Sequence, residues 1–243
     1  MIKPFVCCQY MLPPSNYVIV VVKLMLVELH SHTTVSDGFQ TPMEIVKIAA
    51  KAGLAAIAVT DHDTFRGSSL AKRAAKLLGG VAVIPAAEVR SEWGDVVVLC
   101  SNDVSDDFPR AIEELREWAV ERGCVTIAAH PGYSRYHGIP LDAIRRAASL
   151  FDAIEVWNAY TPPHFNFMAI RLAEDLNHTP VSGSDAHVPS MVGVAPALVD
   201  SDNESAEGVV EAIAKGRARP TIGFPGLRAI LENIGWSLYR IIE

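Results

Sequence analysis

The sequence is poor in cysteine, in basic residues and in long apolar runs, and each shortage removes a class of function. Four cysteines in 243 residues, two of them adjacent at Cys7 and Cys8, are too few for the disulfide framework of a small secreted domain. A reducing, cytoplasmic setting is therefore expected, with Cys100 and Cys124 read as core residues of apolar strands. Lysine and arginine total 21 against 28 acidic residues, a net charge of -7. That balance argues against a broad electrostatic platform for nucleic acid, while leaving room for a local basic pocket. The longest apolar run, Tyr17 to Val27, is interrupted by Lys23 and falls short of the ~20 residues of a membrane-crossing helix. Pro13 and Pro14 break the earlier apolar stretch, and no small-residue cleavage site follows. Residues 1–24 read as an N-terminal extension and 25–243 as a single domain, because no Pro/Gly/Ser-rich linker or composition shift divides them.

Half of the residues are hydrophobic, enough for a sizeable core. They fall into short apolar runs alternating with segments of helical period. Strands are predicted at 25–29, 54–60, 81–89, 95–100, 125–129, 153–156 and 180–182. Helices are predicted at 42–52, 69–78, 108–122, 141–150, 165–176, 205–215 and 227–241. The first helix has Thr41 as its N-cap and Gly53 as its stop. The alternation implies an α/β fold with a mainly parallel sheet covered on both faces. The strand at 95–100 follows its predecessor too closely for a crossover and is expected to be antiparallel or irregular. The number of units suits a closed, irregular barrel.

Histidines and carboxylates gather where these strands end. His30, His32 and Asp37 follow the first strand; Asp61, His62 and Asp63 follow the second; Glu88 ends the third. His130 follows the strand at 125–129, Trp157 and Asn158 the next, and Asp185 with His187 the last. The C-terminal edge of parallel strands is where α/β enzymes build their sites. His30 with His32, and Asp185 with His187, are each two residues apart and so can present paired ligands. Imidazole and carboxylate without thiolate suits zinc, manganese or iron. There are too many such groups for one tetrahedral ion; two or three ions sharing bridging residues, Glu88 foremost, would use them all. Glu28 and Glu155 are expected to partner neighbouring side chains, and at least one of Asp61 and Asp63 to orient a ligand histidine. His137 and His164 lie on loops that could line the mouth, and His178 is expected to be solvated.

The set Glu28-Leu29-His30-Ser31-His32, Ser36-Asp37-Gly38, Thr60-Asp61-His62-Asp63-Thr64, Glu88, Ala129-His130-Pro131 and Gly183-Ser184-Asp185-Ala186-His187 resembles the PHP family, named for polymerase and histidinol phosphatase. The resemblance runs in consistent order from about residue 27 to 220. It implies a distorted (β/α)7 barrel with a two- or three-metal site that hydrolyses phosphoesters. Carried over by position, His30, His32, Glu88 and Asp185 would hold one ion, Glu88 and His130 a second, and Asp37, His62 and His187 a third. Many members have a histidine on the strand after the bridging glutamate. Here that stretch, Trp93 to Val98, has none, and Asp95 is the nearest replacement.

The expected activity is hydrolysis of a phosphomonoester of a small molecule or nucleotide by a metal-activated water, with Glu88 and Asp185 central and Arg135 clamping the phosphate from its loop. Arg66 is a weaker candidate for that clamp. An exonuclease on nucleic-acid ends and a catalytically weak regulatory metal binder are the alternatives. No lysine sits at a matching strand end for the carboxylated-lysine chemistry of amide hydrolysis. The expected partner is a small phosphorylated substrate, with no membrane, and with nucleic acid only as a nucleotide or short end.

Overall fold

A computed structural model describes residues 23–242; most of the N-terminal extension therefore lies outside the described residues. Lys23 already pairs with Glu204, and the first strand begins at Leu24, one residue before the expected domain start.

The described chain forms a mixed α/β fold with two five-stranded sheets. The first sheet has the order β10-β9-β1-β2-β3: β10 (Ala218–Arg219), β9 (Ala197–Asp200), β1 (Leu24–Glu28), β2 (Ala56–Ala58) and β3 (Ala82–Ile84). The second runs β4-β5-β6-β7-β8: β4 (Ala86–Ser91), β5 (Gly94–Cys100), β6 (Cys124–Ala128), β7 (Ala153–Asn158) and β8 (Pro180–Gly183). The antiparallel expectation for β5 holds on both of its neighbours.

No closed barrel is detected among the described strands, which fall into two sheets. The run predicted as one strand over 81–89 is cut at Pro85, which has no N–H to donate to a ladder. Its two halves, β3 and β4, end in different sheets. Outside the named strands, the sheets meet through isolated parallel bridges, Ser31 with Ala186 and His62 with Glu88. Both bridges lie at the edge where the polar residues gather. The short β9 and β10 were not expected from the sequence.

Helices cover the sheets as their apolar spacing dictates. α1 (Pro42–Lys51) opens with a capping box between Thr41 and Glu44. It packs with α2 (Arg66–Leu78) on the first sheet, where Ile45, Ile57, Ala71 and Val83 share a core. α3 (Ile112–Glu121), α4 (Leu141–Arg146) and α5 (Pro163–Leu176) cover the second sheet, with Leu115, Ile144 and Leu172 buried against Val96 and Val98. A third core lies between the sheets, joining Val27, Leu99, Ile127 and Val181 to Val209 and Ile213 of α6 (Ala206–Ala214). α7 (Leu227–Ile242) buries only Ala229. Among the described residues no helix is long and apolar enough to cross a membrane.

The cysteine expectation needs correction. Cys100 and Cys124 are buried, as core residues should be, but they are joined by a disulfide. The cause is register: the antiparallel β5–β6 ladder places the two directly opposite each other.

Candidate metal centre

Each polar side chain at this edge is placed by the strand that precedes it. β1 delivers His30 and His32, which are 1% and 0% exposed. Gly38 lets the loop after them fold back, since a Cβ there would sit 2.4 Å from the His32 carbonyl oxygen. That return brings Asp37 beside His32. The loop is held from β2 by Asp61, whose carboxylate accepts from Thr33 N, Thr33 Oγ1, Ser36 N and Ser36 Oγ at 2.6–3.2 Å. Asp63 accepts from Arg90 N and Arg110. Neither aspartate orients a histidine, contrary to expectation; both are used in fixing loops and arginines.

Glu88 on β4 lies at the centre. Its Oε1 is 2.9 Å from His130 Nε2, and its Oε2 is 3.4 Å from His30 Nε2, 3.4 Å from His32 Nε2 and 3.1 Å from His62 Nδ1. Asp185 Oδ1 lies 3.2 Å from His32 Nε2 and 3.6 Å from His30 Nε2. Asp37 Oδ2 is 3.2 Å from His187 Nε2, and its Oδ1 is 3.6 Å from His62 Nε2. His130 and Asp185 both adopt the left-handed region, at φ 29° and 50°. Such conformations cost of order 1–3 kcal/mol and concentrate at functional sites.

Three overlapping groups offer ligand atoms within 4.8 Å of one another: His30, His32 and Asp185; His30, Glu88 and His130; and His32, Asp37, His62 and His187. All eight of these residues were singled out in the sequence. Asp95 belongs to none of the three groups. It is ion-paired to Arg90, its Oδ2 3.3 Å from Nη2 and its Oδ1 against Nε.

Supporting side chains behave as expected for Glu155 and Glu28. Glu155 Oε1 takes the Nδ1 side of His30 at 3.1 Å, turning His30 Nε2 toward Glu88 and Asp185. Its Oε2 accepts from His130 N and Asn158 Nδ2 at 2.8 and 3.0 Å. Gly183 is what allows this packing: a Cβ there would lie 2.5 Å from both Glu155 Oε1 and His30 Cβ. Glu28 accepts from His30 N, Ser184 N, Ser184 Oγ and Gly193 N, tying β1 to the chain after β8. Burial pushes its carboxyl up to about 7 against those four hydrogen bonds.

Electrostatics without ions show what the site wants. Burial favours the neutral form of His62, but its bonds to Asp37 and Glu88 prevail and raise its pKa to about 11. Burial likewise opposes ionisation of Glu88 and Asp185, yet the surrounding imidazoles hold both below the ordinary carboxylate range. Buried His30 Nε2, His32 Nδ1, His32 Nε2 and His130 Nδ1 have no hydrogen-bond partner. Orphaned polar atoms of this kind are rare in folded proteins. Here three of the four face carboxylate oxygens, so the donor set fits divalent cations.

A cavity of about 410 Å³ opens over the centre. Its rim carries two arginines, Arg90 and Arg240, with Tyr136, Tyr160 and Trp236. Arg135, expected as the phosphate clamp, is exposed and does not line it. The 3-10 turn at Ser134–Tyr136 turns Tyr136 inward instead, followed by His137 in a left-handed conformation at φ 58°. Arg66 opens α2 and also lies off the cavity. His137 lines the mouth as expected; His164 does not. His178 is half-buried, with Nε2 against the Ala148 carbonyl and Nδ1 accepting from Thr179 N, not solvated as expected. Sequence reasoning missed Arg240 altogether, because its signal is a contact 203 residues away, between its Nη1 and Asp37 Oδ2.

Comparison with known proteins agrees with this geometry. The PHP domain model matches residues 28–112, and the PHP-associated model matches residues 163–218. An uncharacterised protein of Methanocaldococcus jannaschii is 33% identical over 150 residues, 56% of this chain and 83% of that one. A 5'-3' exoribonuclease of Haemophilus influenzae is 39% identical over 66 residues, 27% of this chain and 24% of the enzyme. A 3',5'-nucleoside bisphosphate phosphatase of Chromobacterium violaceum is 32% identical over 100 residues, 40% of this chain and 35% of the enzyme. The chain thus spans a third or less of the exoribonuclease and about a third of the phosphatase. A two-domain protein of Bacteroides vulgatus described as containing a predicted PHP-like metal-dependent phosphoesterase superimposes with a TM-score of 0.70 at 21% identity, over 83% of this chain and 66% of that one. The ligand set, its order along the chain and these matches make the chain a member of the PHP family.

Proposed function

We propose that the protein is a metal-dependent phosphomonoesterase acting on a small molecule or a nucleotide end. The observation that carries this reading is the convergence of unpartnered histidine nitrogens and ionised carboxylates beneath a cavity rimmed by arginines. In this reading His30, His32 and Asp185 hold one ion with Glu88, while Glu88 and His130 hold a second. Asp37, His62 and His187 hold a third, and the ions are zinc, manganese or iron. Divalent ions bound there supply a nucleophilic water at neutral pH and offset charge on the phosphoryl oxygens.

The chain's own residues do the rest. Glu155 fixes the ring of His30 and the backbone of His130. Arg90, its guanidinium held flat by Asp95, presents donors to a phosphate from one side of the cavity. Arg240 does so from the wall formed by α7. These two take the role first given to Arg135. Tyr136, Tyr160 and Trp236 offer apolar faces to a sugar or base. With α7 along one side, a compact substrate or a chain end fits better than a continuous strand. The exoribonuclease relative keeps end-directed nuclease activity as the second reading.

The test is a hydrolysis screen of metal-loaded protein over sugar phosphates, nucleoside phosphates and 5'- or 3'-phosphorylated oligonucleotides. Phosphate release from the small esters is expected, with Glu88→Ala lowering the rate by several orders of magnitude and removing metal. Turnover of oligonucleotides alone would favour the nuclease; no turnover by protein shown to carry its ions would reject both.

A further inference from the structure

α7 is built the wrong way round for a helix lying on a protein surface. The stripe facing the body is small or polar except for Trp236, which packs against the core and edge-on to Phe39. Ala229 is buried, Glu232 accepts from Ser190 N and Oγ, Trp236 donates to the Asp37 carbonyl and Arg240 pairs with Asp37. The opposite stripe is Leu227, Leu231, Ile234, Leu238 and Ile241, exposed by 73, 60, 53, 57 and 80%, with Ile241 also reaching the edge of the cavity. An ordinary surface helix turns its apolar stripe inward. The spacing of the exposed five is four, three, four, three, the alternation of a coiled-coil seam, with Leu231 and Leu238 as one position of the heptad and Leu227, Ile234 and Ile241 as the other.

We propose that this stripe is a two-fold interface, and that its partner is α7 of a second copy of this chain. A seam of leucine and isoleucine at 3.5-residue spacing is complementary to itself, which is what an isologous contact requires. The seam contains no charge. On its flanks the single charge is Arg228, already paired with Glu232 at 2.6 Å, so two copies meet without repulsion despite a net charge of -7 each. Ile230 and Ile242, exposed by 43 and 84%, widen the stripe. The seven aliphatic side chains together offer roughly 500–800 Å² per copy, at or above the top of the ~300–600 Å² range for the largest apolar patch of an ordinary monomer and approaching the ~800 Å² a side of a standard interface. An interfacial membrane helix would carry several lysines and arginines beside its apolar face, whereas these flanks have Arg228 alone, paired with Glu232. Because the inward stripe of the same helix reaches Asp37, the pairing also braces one wall of the cavity.

The full chain should sediment at micromolar concentration with twice its 26.3 kDa mass. The double variant Ile234→Glu, Leu238→Glu should sediment as one chain, with unchanged helical circular dichroism and metal content. Should that variant misfold, Ile234→Cys gives an independent reading. The middle of the seam faces its own copy in either helix orientation, so mild oxidation should cross-link it. Leu77→Cys, on exposed α2, should not cross-link. A monomeric wild type would overturn the proposal, as would a dimer that survives the glutamates or an Ile234→Cys protein that fails to cross-link. So would a wild type that dimerises only after residues 1–22 are removed, or a monomer that binds phosphatidylcholine vesicles through α7. Those last two outcomes would identify the N-terminal segment or a lipid surface as the occupant.

Discussion

A histidine two residues from another at the end of an apolar strand is costly to bury unless something uses it. His30, His32, Asp37, His62, Glu88, His130, Asp185 and His187 all meet within the three ligand groups for that reason. Asp95 was legible as a residue of interest but not in its contacts. Burial first, and then the charge of Glu88, push its carboxyl up to about 6 even though Arg90 pulls the other way. If Asp95 serves to hold Arg90, Asp95→Ala keeps its full metal complement and raises KM roughly tenfold, as expected when a charge-assisted bond is lost. Loss of about one metal equivalent with KM unchanged would make it a ligand instead; elemental analysis beside steady-state kinetics decides. His62 carries a pH prediction. With its pKa raised to about 11, the ion-free protein holds a proton between Asp37 and Glu88 at neutral pH. The stability this contributes is fully present below 6.5 and is lost as pH rises through about 11. A metal ion must displace that proton, so apparent affinity rises by up to about tenfold per pH unit for each proton released. Calorimetric titration in buffers of different ionisation enthalpy measures the count, and metal binding with no proton release would refute the assignment of His62 as a ligand.

Elements were recovered where hydrophobic period and turn chemistry agree, and lost where tertiary contact decides. Thr41 announced α1 as its N-cap, and the structure adds Glu44 to complete a capping box. The run over 81–89 read as one strand because its residues are apolar apart from Glu88; Pro85 was the overlooked punctuation, and it sends β3 and β4 to separate sheets. β9 and β10 are four and two residues long, too short to show a period of two. The Cys100–Cys124 bond was invisible for a related reason, since it depends on the register of two antiparallel strands, which spacing alone does not fix. α7 was found from its helical period, yet that period says which residues share a face and not which face meets the body. Arg240 was missed with it.

At the scale of the whole molecule, the candidate metal centre lies at the edge where the two sheets meet, beside the Glu28 bonds to Ser184 and Gly193. Apart from the core they share, the sheets are joined at this edge by the isolated bridges Ser31–Ala186 and His62–Glu88. Each ligand group draws on both sides. His30 and His32 follow β1 while Asp185 follows β8; His30 faces Glu88 of β4 and His130 after β6; His32, Asp37 and His62 face His187. Ions held by these groups would therefore act as cross-links between the sheets, present in the folded state and absent from the unfolded one. Linkage gives about 3–4 kcal/mol for one ion at a hundred to a thousand times its dissociation constant. For a domain of this size that corresponds to roughly 6–15 °C in Tm. Chelation should lower Tm by that much, and amide exchange should quicken first in the chain around Ser31, His62 and Ala186, before the strands of either sheet. Glu88→Gln, which keeps the shape of the bridge but not its charge, should remove most of the metal-dependent gain. If protein with measured metal melts at the same temperature before and after chelation, the ions do not join the sheets.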